Sequence, residues 1–149
     1  MRAVVQRVSC AEVRVGGRPV AEMGAGLLAL VGVARDDGEA EARAMAAKLV
    51  GLRVLPDADG RMNRSLLQTG EQLGVVSQFT LLGDTRKGRR PAFAHAAPAD
   101  QAQPLVELLV EEARARGVQV VTGCFGASMQ VALVNEGPIT LLLDTERRF

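Results

Sequence analysis

Aromatic residues and metal-ligating residues are scarce in this 149-residue chain. It contains no Trp, no Tyr and only four Phe, although 48% of its residues are hydrophobic. Val, Leu, Ala and Met must therefore form its core. One histidine, His95, and two distant cysteines, Cys10 and Cys124, lack the spacing of a zinc site. We expect no metal, no cofactor and two reduced, buried thiols.

The sequence also lacks an excess of charge of one sign and any long apolar run. Lys and Arg number 18 and Asp and Glu 17, so the net charge is +1. This balance excludes the broad basic field of a general nucleic-acid-binding protein. No apolar run approaches the roughly 18 residues of a membrane span, and residues 1–7 lack the apolar segment of a signal peptide. We predict a cytoplasmic protein without membrane contact, in which any RNA contact is local.

Patterns typical of strands dominate the chain. Residues 2–9 alternate in hydrophobicity, and residues 12–15 and 20–22 flank Gly16-Gly17, which predicts a β-hairpin. Residues 27–33 are apolar on both faces, as in a central strand that is covered on each side. Further strands are predicted at 53–55, 75–80, 118–121, 129–133 and 139–143.

Two segments have helical spacing. The first is predicted over about 37–50, with Asp36-Asp37 as cap candidates, and the second begins at Ala99-Asp100 and ends before Gly117. No repeat or linker interrupts the chain. We therefore predict a single domain over residues 1–149, of α/β class, compact and layered. Mostly antiparallel β-sheet forms a barrel-like body in it, with two helices packed outside.

Polar residues follow the apolar start of the strand predicted at 75–80. Ser77, Gln78, Phe79 and Thr80 lie where backbone amides run out of ladder partners, so donors from side chains and main chain can converge on a ligand there. The simpler interpretation is that they cap a strand, and it is favoured for this motif alone. A second motif, Asn135-Glu136-Gly137-Pro138-Ile139-Thr140, would alone be read as an ordinary turn.

Together the two motifs resemble those of the D-aminoacyl-tRNA deacylases (the D-tyrosyl-tRNA deacylase family), which read S-Q-F-T-L and N-x-G-P-x-T. The likeness extends to residues 5–8, 84–88, 90–91 and 122–127, and to Phe93 and Met129. One departure is Ala92, where similar proteins often carry a polar residue. This departure concerns the RNA contacts of the surrounding loop and not the site.

The resemblance implies a hydrolase of the ester that joins a D-amino acid to the 3′-terminal ribose of tRNA, with free D-amino acid and tRNA as products. It implies a homodimer in which Gly137-Pro138, in the cis form, enters the partner's site and faces the substrate's α-carbon. Such an obstacle excludes L side chains by collision. Because glycine has no side chain, glycyl-tRNA should also be hydrolysed slowly or moderately.

The chemistry expected of the first motif does not require a covalent intermediate. The chain has no G-x-S-x-G elbow, and we interpret His95 as solvated or facing RNA. We assign the backbone N–H groups near Phe79 and Thr80 to the substrate carbonyl oxygen. Thr80 orients water or, as the second choice, attacks, and a ribose hydroxyl of tRNA is a candidate activator. Gln78 holds the loop or binds the terminal adenosine.

The remaining candidates have simple structural alternatives. Arg7 tethers the partner's Gly-Pro loop or only faces solvent. Met129 lines the pocket or fills the core, and Asn135 braces the turn that leads to Thr140.

A polar loop holds four positive charges in five positions: Arg86, Lys87, Arg89 and Arg90. It contacts tRNA phosphates or is a solvated loop. Two rival functions remain open at this point: a non-catalytic module that binds the acceptor end of tRNA, and a structural interaction protein.

Overall fold

The computed structural model describes residues 1–148. Its strand β1 (Arg2–Val15) pairs with three other strands. The other elements follow in chain order as β2 (Arg18–Met23), β3 (Gly26–Gly32), α1 (Glu39–Gly51), β4 (Leu55–Pro56), β5 (Met62–Arg64), α2 (Leu66–Thr69), β6 (Gln72–Ser77), a 3-10 helix (Phe79–Leu82), α3 (Ala99–Ala115), β7 (Val120–Thr122) and β8 (Met129–Asp144).

The main sheet has six strands in the order β2-β1-β3-β6-β7, and β8 pairs with the other side of β1. The first half of β1 pairs with β3 and its second half with β2, both antiparallel. β3 and β6, and β6 and β7, are parallel pairs. Because β2 also contacts β7, the sheet curls into a nearly closed barrel. The predicted barrel-like α/β layered fold is confirmed.

The hydrophobic core occupies two layers, one on each face of β3. Leu27, Ala29 and Val31 face the helices α1 and α3, where they pack in a cluster that includes Leu49 and Leu109. The opposite face of β3 contributes Leu28 to a second cluster inside the curled sheet. The prediction of a central strand that is covered on both sides is therefore confirmed.

The stretch 75–80 is not a single strand, contrary to the prediction. β6 ends at Ser77, and the next residue leaves the sheet after its amide donates to Val31 O at 2.7 Å. The following amides bond back along the chain, Leu81 N to Gln78 O at 3.2 Å and Gly83 N to Thr80 O at 3.0 Å, which forms the 3-10 helix. The site motif is therefore a bend between a strand and a helix.

Other predicted boundaries also differ. The strands predicted at 129–133 and 139–143 are one element, β8, and a short third helix, α2, was not predicted. Residues 36–37 do not cap α1: its N-cap is Gly38, whose amide donates to the carboxylate of Glu41 at 2.9 Å. The thiols of Cys10 and Cys124 are exposed, not buried. No helix within residues 1–148 is long and apolar enough to cross a membrane.

Candidate active site

An open cleft of about 420 Å³ lies where β6 ends, between the first turns of α3 and the segment that precedes β8. Most of its surface is apolar, and Ser77 and Gln78 add polar groups at the end of β6. The lining comprises Val31, Val33, Val76, Ser77, Gln78, Phe79, Ala97, Ala99, Ala102, Val106, Phe125, Gly126, Ala127, Met129 and Val131. An apolar cleft with a few convergent polar groups is typical of a ligand site.

The residues of the first motif lie on the rim of this cleft. Ser77, Gln78 and Phe79 line it, whereas Thr80 is exposed on the 3-10 helix and does not. The Gln78 amide Nε2 donates to Thr80 Oγ1 at 2.5 Å. The backbone N–H groups of Phe79 and Thr80 have no acceptor among residues 1–148, because a helix leaves its first amides unbonded. These amides are available to a ligand.

The site contains no nucleophile paired with a base. Among the described residues, no histidine or carboxylate forms a hydrogen bond with the hydroxyl of Ser77 or Thr80. His95 is exposed and lines a different, smaller cleft of about 310 Å³, together with Asp84 and Arg86. The arrangement therefore lacks the constellation of a serine hydrolase.

The second motif forms a bulge in β8 opposite Arg7. The register of β1 and β8 passes from Gln6 against Thr140 to Val8 against Asn135, so residues 136–139 of β8 lie opposite one residue of β1. The Gly137-Pro138 peptide within this bulge is cis, as the resemblance implies. Both residues are exposed, and neither lines the cleft of its own chain.

Two side chains hold the bulge in place. Asn135 Oδ1 accepts from the amide of Ile139 at 2.8 Å, and its Nδ2 donates to Ile139 O at 3.2 Å and to Thr140 Oγ1 at 3.1 Å. Arg7 donates from Nε to Glu136 O at 3.0 Å and from Nη1 to Val54 O at 2.8 Å. The guanidinium of Arg7 thus holds the bulge of its own chain, and its tethering of a partner's loop stays a prediction.

The basic loop, residues 85–91, projects from a closed stem. Asp84 and Ala92 exchange two backbone hydrogen bonds, of 2.8 and 2.9 Å. The Arg86 guanidinium binds the Asp84 carboxylate at 2.6 Å and holds the pKa of that carboxyl well below its usual range. Lys87, Arg89 and Arg90, in contrast, are exposed and make no ion pair with any other described residue. Their charges are available to an external anion.

The helical wall of the cleft was not predicted from the sequence. Ala99, Ala102 and Val106 of α3 contribute to it, and their spacing places them on one side of the helix. This spacing is a recognisable signal, but the Leu105 and Leu109 stripe that packs into the core obscures it. Phe125, which also lines the cleft, was noted only as part of the family likeness.

Proteins of known family resemble this chain along nearly its whole length. The family model described as D-Tyr-tRNA(Tyr) deacylase matches residues 4–144. A D-aminoacyl-tRNA deacylase of Anaeromyxobacter dehalogenans (strain 2CP-C) is 56% identical over 149 residues, which cover 100% of both chains. One from Roseiflexus sp. (strain RS-1) is 57% identical over 145 residues, which cover 97% of this chain and 94% of that protein.

Solved structures have the same fold. The structure titled c-Myc DNA Unwinding Element Binding Protein has a TM-score of 0.91 and 36% identity and covers 97% of this chain and 99% of its own. A probable eukaryotic D-amino acid tRNA deacylase has a TM-score of 0.82 and 20% identity, and the match covers 95% of this chain and 97% of that one. This likeness supports the fold alone. On the family model and the full-length identities, the chain belongs to the D-Tyr-tRNA(Tyr) deacylase family.

Proposed function

We propose that this protein hydrolyses D-aminoacyl-tRNA, releasing a free D-amino acid and reusable tRNA, without a metal or another cofactor. The observation that carries this proposal is the bend at residues 77–80, where an apolar cleft meets two unbonded backbone amides. The apolar wall suits the terminal adenosine, and the amides suit the ester carbonyl. Full-length relatives named as D-aminoacyl-tRNA deacylases support the substrate.

The reaction needs positioning more than a strong nucleophile. An aminoacyl ester is already activated, so amides that hold its carbonyl oxygen and stabilise the developing oxyanion supply much of the catalysis. The N–H groups of Phe79 and Thr80 take this role, and Ser77 completes the polar rim. The Thr80 hydroxyl, held by Gln78, orients the attacking water. A ribose hydroxyl of the substrate assists as activator.

The complete site requires a second copy of the chain. The bulge with Gly137-Pro138 is exposed and lies outside its own cleft, so it is free to enter a neighbour's. β8 pairs only with β1 among the described strands, and its outer edge is open to a partner. Val134 and Leu142, 53% and 61% exposed, add apolar surface to this strand. A two-fold dimer would place each bulge in the other cleft.

Stereochemical selection follows from the stiffness of this bulge. A thousandfold preference for D over L substrates corresponds to about 4 kcal/mol between transition states, which attractive contacts seldom supply. A bulge fixed by the three hydrogen bonds of Asn135, and by Arg7, which links Glu136 O to Val54 O, is a rigid obstacle to an L side chain. It leaves room for hydrogen, so glycyl-tRNA is expected to be hydrolysed. Undetectable cleavage of glycyl-tRNA at high enzyme concentration would contradict this model.

The basic loop is proposed to contact the acceptor end of tRNA. Lys87, Arg89 and Arg90 have no acidic partner in the described chain, and Arg86 extends the same positive surface. Such unpaired cations bind phosphate groups, and the counterions that are thereby released from the nucleic acid favour binding. The protein would therefore hold the nucleic acid by this loop while the ester enters the cleft.

Mixed dimers test whether the site is shared. Ala102→Trp fills the cleft and leaves the bulge intact. Gly137→Val disrupts the bulge, because its Cβ would lie 2.8 Å from Ile139 Cγ1 and its φ is +137°. Each variant alone should be inactive on D-tyrosyl-tRNA, because the first lacks an open cleft and the second lacks a bulge that fits the partner's cleft. The wild type should not cleave L-tyrosyl-tRNA.

Co-expression of the two variants should restore about a quarter of the wild-type activity, because half of randomly assorted dimers are mixed and each contains one intact site. Native mass spectrometry establishes that mixed dimers are present, and circular dichroism establishes that each variant is folded. Mixed dimers without activity would overturn the shared site, whereas a wild type that binds D-tyrosyl-tRNA without cleaving it would overturn the enzymatic function.

A further inference from the structure

Phe79 is one of only four Phe residues in the chain, and it is 58% exposed. Its ring packs edge-on against the ring of Phe93, with 5.0 Å between the ring centroids and 65° between the ring planes. An edge-to-face contact fixes the orientation of a ring and leaves part of its face free. The function described above uses only the backbone of Phe79, so the ring has no role in it.

The two rings connect the cleft with the basic loop. Phe79 lines the cleft, and Phe93 follows directly after Ala92, whose backbone closes the stem of the loop. The ring of Phe93 packs on this stem, since its Cε1 lies 3.0 Å from the position of a Cβ on Gly83. The next residue, Ala94, is also fixed, because Arg35 Nε donates to its carbonyl at 2.7 Å. The pair is therefore a rigid surface.

The opposite exit from the cleft is less suited to a nucleic acid. Beyond Phe125 lies a second concave surface, which includes Glu107 and Glu111 of α3. Its two carboxylates outnumber its one cation, Arg114, so this side is the less favourable exit for the phosphates of a strand. A strand that leaves over Phe79 and Phe93 instead meets the three unpaired cations of the basic loop.

We propose that Phe79 and Phe93 form a stacking platform for the base of the nucleotide that precedes the terminal adenosine of the substrate. This inference rests on the proposed function and adds a second nucleotide subsite to it. Single-stranded nucleic acid is commonly held by aromatic rings beside a positively charged surface, and stacking of this kind tolerates any base. The platform binds the base, and the basic loop binds the phosphates that follow.

Three substrates isolate the contribution of the base: 3′-O-(D-tyrosyl)adenosine, the same ester extended on its 5′ side by cytidine through a phosphodiester, and the same extension with an abasic ribose. For the wild type, we expect kcat/KM of the cytidine substrate to exceed that of the abasic substrate about fivefold or more. Replacing cytidine by uridine should preserve this ratio.

Variants of Phe93 identify the platform. Phe93→Leu keeps an apolar side chain but removes the ring that fixes Phe79, and should lower the cytidine-to-abasic ratio to below about twofold. Its kcat/KM for the D-tyrosyladenosine ester should remain as in the wild type, which also shows that the variant is folded. Phe93→Tyr retains the ring and should restore the ratio.

Equal rates for the cytidine and abasic substrates in the wild type would overturn the platform, while their hydrolysis would leave the proposed function intact. A ratio that Phe93→Leu does not change would overturn it as well. If none of the three esters were hydrolysed, the proposed function would fail, and the platform with it.

Discussion

Asn135 determines the shape of the bulge more than any other single side chain, because one amide group makes three hydrogen bonds across it. In Asn135→Ala the peptide groups of Ile139 lose two of these bonds and the Thr140 hydroxyl loses the third, which should cost about 1–3 kcal/mol of stability and loosen the proposed obstacle. We expect the ratio of kcat/KM for D-tyrosyl-tRNA over L-tyrosyl-tRNA to fall at least about tenfold. Deacylation assays with both substrates measure it.

A graded variant and a control sharpen this prediction. Asn135→Asp keeps the acceptor for the Ile139 amide but loses both donated bonds, so its ratio should lie between those of the wild type and of Asn135→Ala. Asn63→Ala removes a similar amide in β5, where it donates to Asp57 at 3.1 Å, and should leave the ratio unchanged. An unaltered ratio in Asn135→Ala would show that the bulge does not read handedness.

Thr80 distinguishes covalent from non-covalent catalysis. Its hydroxyl has Gln78 as its hydrogen-bond partner and no base, so we expect Thr80→Ala to lower single-turnover deacylation by less than about tenfold. Loss of a true nucleophile typically lowers turnover by about 10⁶-fold. Thr80→Ser, which keeps the hydroxyl, is the matched control. A loss approaching that of a nucleophile knockout, with normal Thr80→Ser activity, would establish attack by Thr80.

Among the secondary-structure elements, the contact of β3 with the 3-10 helix is the one on which the site depends. A Cβ on Gly32 would lie 2.6 Å from Leu82 Cδ2 and 2.9 Å from Gln78 O. Since Gln78 O belongs to the backbone, the helix that carries the two amides proposed to be catalytic must shift in Gly32→Ala. We expect a stability loss of about 1–3 kcal/mol in thermal or chemical unfolding, and a fall in kcat/KM.

Gly51→Ala is the matched control for this substitution. Gly51 is the last residue of α1, and a Cβ there meets nothing within 4 Å. Alanine is favoured over glycine in helices, so this variant should be as stable as the wild type or up to about 1 kcal/mol more stable, with normal activity. If Gly32→Ala were as active and as stable as Gly51→Ala, the 3-10 helix would not be fixed by β3.

The fold was predictable from local patterns where packing agrees with them, as in β3, the β1–β2 hairpin and both long helices. The bend at Ser77 was not, because the polar residues that follow Val75-Val76 were interpreted as the end of the same strand. β6 ends where the amide of Gln78 donates to Val31 O, and where Gly32, which has no side chain, leaves room for the 3-10 helix. Both contacts join residues that are distant in the sequence. The candidate site residues were predicted from two motifs, whereas the wall from α3 and the hold of Arg7 on its own bulge depend on the arrangement of elements.

At the scale of the whole molecule, the basic loop provides local charge on a nearly neutral protein of net charge +1. Arg89→Glu with Arg90→Glu should raise KM for D-tyrosyl-tRNA and reduce its dependence on salt, because about two phosphate contacts are lost. The measurement is log KM against log salt concentration. Arg18→Glu with Lys48→Glu changes the net charge equally at exposed positions elsewhere and should leave the slope unchanged. Identical slopes in both double variants would show that the loop does not bind tRNA.

The two reciprocal hydrogen bonds between Asp84 and Ala92 separate the loop from the rest of the protein. Because the stem is closed there, residues 85–91 can be lengthened or exchanged at a small entropic cost that grows only with the logarithm of loop length. The proposed affinity for nucleic acid can thus be engineered or selected in this segment as an independent module, while the residues proposed to be catalytic keep their geometry.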